Sequence, residues 1–112
     1  MSAITTHILD ISTGQPARGV PVTLEQQTAT GWTIAGNGVT DDDGRLRDLL
    51  PGVALTAGCY RLTFDTGAYF AQQAVVGFYP QVIVTFTVRH AASHYHVPLL
   101  LSPFGYSTYR GS

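Results

Sequence analysis

His94-Tyr95-His96-Val97-Pro98-Leu99-Leu100-Leu101 runs into Ser102-Pro103-Phe104-Gly105 and then Tyr106-Ser107-Thr108-Tyr109. Side chains alternate across a strand, so residues two apart share a face. In a strand over 94–101, Val97, Leu99 and Leu101 form one apolar face, and His94, His96, Pro98 and Leu100 the other. The Ser-Pro-Phe-Gly run is turn chemistry. It returns the chain along a last strand over 106–109, where Ser107, Tyr109 and Gly111 share a face. A strand with one wholly apolar face needs a second layer to cover it.

The same rhythm extends outward in both directions. Residues 4–11 read as a strand stopped by Ser12-Thr13-Gly14-Gln15-Pro16, and 21–27 as a second, with Val20, Val22 and Leu24 on one face. Ala29-Thr30-Gly31 turns the chain into 32–39. Asp41-Asp42-Asp43-Gly44 is a tight turn whose glycine supplies a positive φ, followed by a short strand over 45–48. In 58–65, Tyr60, Leu62 and Phe64 face inward while Cys59, Arg61 and Thr63 face outward; 81–89 is a further strand. The one segment that reads as a helix is 66–73, capped by Thr66 and favoured by Ala68, Ala71 and Ala74. About eight short strands and one short helix predict an all-β sandwich in a single domain spanning 1–112.

Charged residues make up only 12% of the 112, against 45% hydrophobic, which is low for the surface of an isolated monomer. Burial between subunits accounts for the shortfall; a surface rich in Thr, Ser, Gln and Gly is the alternative. Net charge is −1 and the six Lys and Arg are scattered, which argues against nucleic acid as a partner. The single cysteine, Cys59, rules out an internal disulfide framework and fits a reducing compartment. The first residues lack a leader's charged and apolar regions, and no apolar run is long enough to span a bilayer. A cytoplasmic protein is the expectation. No nucleophile elbow, phosphate loop or dinucleotide fingerprint occurs.

In the first strand Thr6 and Ile8 share one face, and Thr5, His7 and Leu9 the other. With the apolar faces turned inward, His7, His94 and His96 point out of the sandwich beside Leu9, Pro98 and Leu100. Histidine mixed with apolar residues on an outer face suggests a surface buried against another subunit. Three isolated surface histidines are the plain alternative. A zinc site built from His94, His96 and His7 is another.

The His94 to Pro103 segment, with Gly105-Tyr106-Ser107-Thr108, resembles the transthyretin superfamily. The ending Tyr109-Arg110-Gly111-Ser112 is similar to the tetrapeptide that separates 5-hydroxyisourate hydrolases from transthyretin proper. Thr6-His7-Ile8-Leu9-Asp10, Gly14-Gln15-Pro16-Ala17, Thr40 to Leu46 and Phe64-Asp65-Thr66 carry the likeness along the rest of the chain. The resemblance implies a transthyretin-like (prealbumin-like) sandwich assembled as a homotetramer, a dimer of dimers. It implies hydrolysis of the lactam N1–C6 bond of the small molecule 5-hydroxyisourate in urate breakdown, with neither metal nor cofactor. His7, Arg45 and His96 are the implied catalytic residues, and Tyr109, Arg110 and Ser112 the implied substrate-binding ones, all meeting between protomers.

These residue types suit that chemistry. Imidazole moves protons near neutrality, and a guanidinium offers planar donors to a developing oxyanion. Either His7 or His96 serves as the base for water while the other orients or donates a proton. Tyr109 would close over the substrate ring; Arg110 and the Ser112 carboxylate would fix the tail. Read without the resemblance, Arg45 is a solvated turn residue, Tyr109 is interface packing and Cys59 is an inert thiol. A transthyretin-like carrier of small ligands, or a non-catalytic β-sandwich binding module, would need neither the histidines nor the last four residues.

Overall fold

The structure, a computed structural model, describes residues 3–50 and 54–112. Among the described residues nine strands and one helix follow in chain order: β1 (Ile4–Asp10), β2 (Gln15–Pro16), β3 (Pro21–Thr28), β4 (Gly31–Val39), β5 (Arg45–Leu46), β6 (Gly58–Phe64), α1 (Thr66–Gln72), β7 (Val82–Val88), β8 (Tyr95–Ser102) and β9 (Gly105–Thr108). Two of the strands are only two residues long, so the expected set of about eight is present with β2 as an addition.

The strands form two sheets. One is ordered β2-β1-β8-β9 with β5 also on β1, and the other β4-β3-β6-β7. Ile4, Ile8, Leu99 and Leu101 of the first sheet and Val22, Leu24, Leu62 and Phe64 of the second are all buried in one core. These are the residues that the period-two alternation turned inward. Thr6 shares that inner face and satisfies its hydroxyl by donating to the Val97 carbonyl at 2.6 Å, since a buried hydroxyl without a partner is costly.

Two sequence expectations need correction. The helix ends at Gln72, with Gln73 as its C-cap, and its N-cap is Asp65: the Asp65 Oδ1 accepts the Ala68 N–H at 3.1 Å. Thr66 lies inside the first turn, fully buried, and its Oγ1 donates to the Tyr79 carbonyl at 3.4 Å. Asp and Thr both cap helices, and position relative to the first helical N–H groups decided between them. Second, the last strand stops at Thr108, so alternation does not carry Tyr109 onto the face of Ser107.

Candidate active site

β1 organises the site from the middle of its sheet. Parallel pairing with β8 sets Thr5 beside His96 and His7 beside Pro98. Antiparallel pairing with β5 sets His7 beside Arg45. Directly paired residues share a face, so Thr5, His7, Arg45 and His96 all lie on the outer side of this sheet.

The turn before β5 explains why Arg45 arrives there. Asp41 Oδ1 accepts the N–H groups of Asp43 and Arg45, each at 2.9 Å. The Gly44 N–H donates to the Asp41 carbonyl at 2.9 Å. Gly44 has φ +73°, and a Cβ there would come within 2.5 Å of the Ile8 carbonyl oxygen. Glycine therefore lets the turn press onto β1, where the Ile8 N–H donates to the Gly44 carbonyl at 2.8 Å. The hydrogen bond from the Arg45 backbone is the first reason the Asp41 carboxyl sits below the usual carboxylate range; desolvation opposes it, and the bond from Asp43 and the charges of Arg47 and Arg45 add to it.

After β9 the chain crosses back over the sheet. Gly111 forms an antiparallel bridge with His96, its N–H donating to the His96 carbonyl at 2.8 Å. Ser112 thereby reaches a depression of about 240 Å³ lined by Thr5, Thr6, Arg45, Arg47, His94, His96 and Ser112 itself. Among the described residues that line this space are two guanidiniums and two imidazoles, and no Asp or Glu side chain. Such a surface favours ligands rich in carbonyl oxygens or bearing negative charge.

His96 is half-buried, and its imidazole is held below the ordinary histidine range. Burial is the main cause; the neighbouring charges of His94, Arg45 and His7 push the same way, against a hydrogen bond that the ring donates to the Thr5 backbone. Near neutrality the ring is therefore neutral and able to accept a proton. Thr5 Oγ1 lies 2.8 Å from His96 Nδ1 and 3.1 Å from His94 Nε2. Among the described residues no group of three His, Cys, Asp or Glu side chains is gathered as a metal ion requires.

Of the residues singled out in the sequence, Arg45, His96 and Ser112 share this depression and His7 adjoins it through its pairing with Arg45. Tyr109 and Arg110 lie elsewhere within the single chain. They line a second depression, of about 410 Å³, with Phe86 and Tyr95 among its walls. There the Arg110 guanidinium sits 4.6 Å from the Tyr95 ring centre and donates to the His94 carbonyl at 3.4 Å. Thr5, Arg47 and Gly111 were not singled out as site residues. Alternation did place Thr5 on the face of His7, which was the available signal for it.

The chain matches the model of the HIUase/Transthyretin family over residues 4–111. It is 50% identical over 109 residues to a 5-hydroxyisourate hydrolase of Salmonella typhimurium, covering 97% of this chain and 80% of that enzyme. The solved Klebsiella pneumoniae 5-hydroxyisourate hydrolase superposes with a TM-score of 0.86 at 40% identity, covering 97% of this chain and 92% of the other. Sea bream transthyretin in complex with thyroxine superposes with a TM-score of 0.91 at 38% identity, covering 98% and 95%. Backbone shape is thus shared with a hydrolase and a thyroxine-bound transthyretin alike, and the residues on the outer face are what can separate them. With one family's pattern matched from the first strand to the crossing tail, the chain belongs to the HIUase/Transthyretin family.

Proposed function

We propose that this protein is an enzyme that hydrolyses 5-hydroxyisourate, opening the lactam at its N1–C6 bond to give 2-oxo-4-hydroxy-4-carboxy-5-ureidoimidazoline in urate breakdown. The observation that carries this reading is the joint placement of His96, Arg45 and Ser112 around one basic depression, with His7 paired to Arg45. Fifty per cent identity to a hydrolase of that name supports the choice of substrate.

Water loses a proton to an imidazole as its oxygen bonds to C6, and the carbonyl electron pair moves onto oxygen. Arg45 stabilises that oxyanion. Collapse breaks C6–N1, and the leaving nitrogen takes a proton from an imidazole. Because Nδ1 of His96 faces Thr5, Nε2 is the nitrogen we assign to the proton transfers, with His7 orienting water or supplying the second proton. The residues supply both proton transfer and charge stabilisation, so the mechanism we propose is metal-free.

We also propose a homotetramer, a dimer of dimers, in which Tyr109 and Arg110 complete a neighbouring protomer's site. Their position in a separate depression supports this, as do the exposed side chains of Phe104, Tyr106 and Tyr109. Cys59 without a disulfide partner fits a cytoplasmic location. Among the described residues no helix is long and apolar enough to cross a membrane.

Ultraviolet monitoring of freshly generated 5-hydroxyisourate tests the activity: purified protein must accelerate decay above the spontaneous rate. Deleting Tyr109 to Ser112 separates enzyme from carrier. A hydrolase loses turnover, whereas a ligand carrier keeps its affinity for small aromatic ligands.

A further inference from the structure

Thr5 is 4% exposed although it lies on the outer face of its sheet. The rings of His94 and His96 enclose its hydroxyl, standing nearly parallel at 15° with centroids 6.4 Å apart. The hydroxyl contacts one nitrogen of each ring, Nδ1 of His96 and Nε2 of His94. His94 itself is exposed in the single chain, just before β8 begins at Tyr95.

A hydroxyl has one proton to donate and lone pairs to accept with. Sitting between two ring nitrogens, it gives a directional chain in either of two senses. In one, His96 Nδ1–H donates to Thr5 and Thr5 donates to His94. In the other, both bonds reverse. Each sense fixes the His96 tautomer, and a concerted hop along the chain converts one into the other as His96 Nε2 gains a proton and His94 Nδ1 gives one up.

We propose that Thr5 and His94 form a proton relay that connects His96 to solvent. The inference rests on the hydrolase reading. When His96 Nε2 takes a proton from water, its Nδ1–H bond breaks as Thr5 Oγ1 gains that proton. Thr5 releases its own proton to His94 Nε2, and the exposed His94 ring passes one from Nδ1 to bulk water or buffer. The reverse sequence brings a proton inward, lets Nε2–H protonate N1, and restores the first tautomer. The groups facing His96 explain the need. Arg45 and His7 from β5 and β1, together with His94, oppose a lasting positive charge on a half-buried ring, and Arg47 beyond β5 lines the same depression. Moving that charge to His94 relieves the opposition while the oxyanion keeps Arg45. Thr5 is thus a positioning and relaying residue, and His94 the exit.

Thr5→Val removes the hydroxyl at nearly constant shape, Thr5→Ser retains it, and His94→Ala alters an exposed ring. With 5-hydroxyisourate as substrate, Thr5→Val and His94→Ala are expected to lower kcat on the order of tenfold with little change in KM, less than the roughly 100-fold or more of a lost general acid–base because the His96 imidazole itself remains. Added imidazole restores His94→Ala but not Thr5→Val, because the latter break lies inside the protein. Thr5→Ser retains both rate and pH profile. Normal kcat in Thr5→Val and His94→Ala at low buffer concentration overturns the relay. Wild-type protein that fails to accelerate decay refutes the hydrolase reading instead. Nitrogen-15 spectra of the imidazoles decide the hydrogen-bonded chain in either case: a His96 tautomer ratio that shifts in Thr5→Val supports it, and an unchanged ratio overturns it.

Discussion

Gly111 lies against the His96 imidazole so closely that a Cβ built on it would fall 2.5 Å from His96 Cδ2 and 3.0 Å from Pro98 Cγ. The tail and the ring therefore hold each other in place, and the requirement for glycine is one of clearance. Gly111→Ala forces the tail to lift or the ring to turn. Because the tail is largely exposed, stability should change by about 1 kcal/mol or less. Displacement of a catalytic ring by a fraction of an ångström to an ångström should lower kcat/KM on the order of 10- to 100-fold. Steady-state kinetics paired with thermal unfolding checks this, and an unimpaired Gly111→Ala enzyme would contradict it.

Arg45 is placed by Asp41, which touches the site only through backbone. Asp41→Ala removes the acceptor for two turn N–H groups, freeing β5 from its setting against β1. A fall in kcat/KM on the order of tenfold is expected from the loosened guanidinium. Asp41→Asn keeps a side-chain oxygen in the same place and should stay within a fewfold of the parent. Equal losses in the two variants would show that charge, rather than turn geometry, matters.

The lowered pKa of His96, caused first by burial and then by His94, Arg45 and His7, sets a pH profile. A neutral His96 is the active form, so activity should persist as pH falls through about 6.5, the ordinary imidazole value, and be lost only below it. Replacing Arg45 by Gln removes a positive neighbour and should move the acid limb upward, beyond its direct cost in rate. The linkage has a definite sign. The unfolded chain takes up this proton at higher pH than the folded one, so stability falls as pH drops through the unfolded value towards the folded one. kcat/KM from pH 5 to 8 and urea melts over the same range provide the check. An acid limb above 6.5 would refute the assignment.

Asp10 is 1% exposed at the end of β1, and its carboxylate is satisfied by the backbone N–H and hydroxyl of Ser12 and by the Tyr69 hydroxyl at 2.7 Å. This last bond ties α1 to the sheet that carries the site. Burial first, then the bond to Asp10, raises the Tyr69 pKa, so the phenol stays a donor at neutral pH. Tyr69→Phe leaves one carboxylate oxygen short of a donor and should cost about 1–3 kcal/mol, measurable by urea denaturation. kcat should hardly change, because the contact lies away from the basic depression.

Period-two alternation was enough to set the sandwich, since a strand's two faces are fixed by covalent geometry. It placed Val97, Leu99 and Leu101 inward and His7 with His96 outward, and the Asp-Gly turn before Arg45 was equally plain. Partners across strands were not fixed by it. That Thr5 stands beside His96, and Arg45 beside His7, depends on register between segments far apart in sequence, set by the packing of the whole core. The end of β9 at Thr108 likewise decided that Gly111, rather than Tyr109, closes over His96 in the single chain, because alternation stops where strand pairing stops. Local sequence thus determined which way each side chain turns, and only the tertiary structure decided which of them meet.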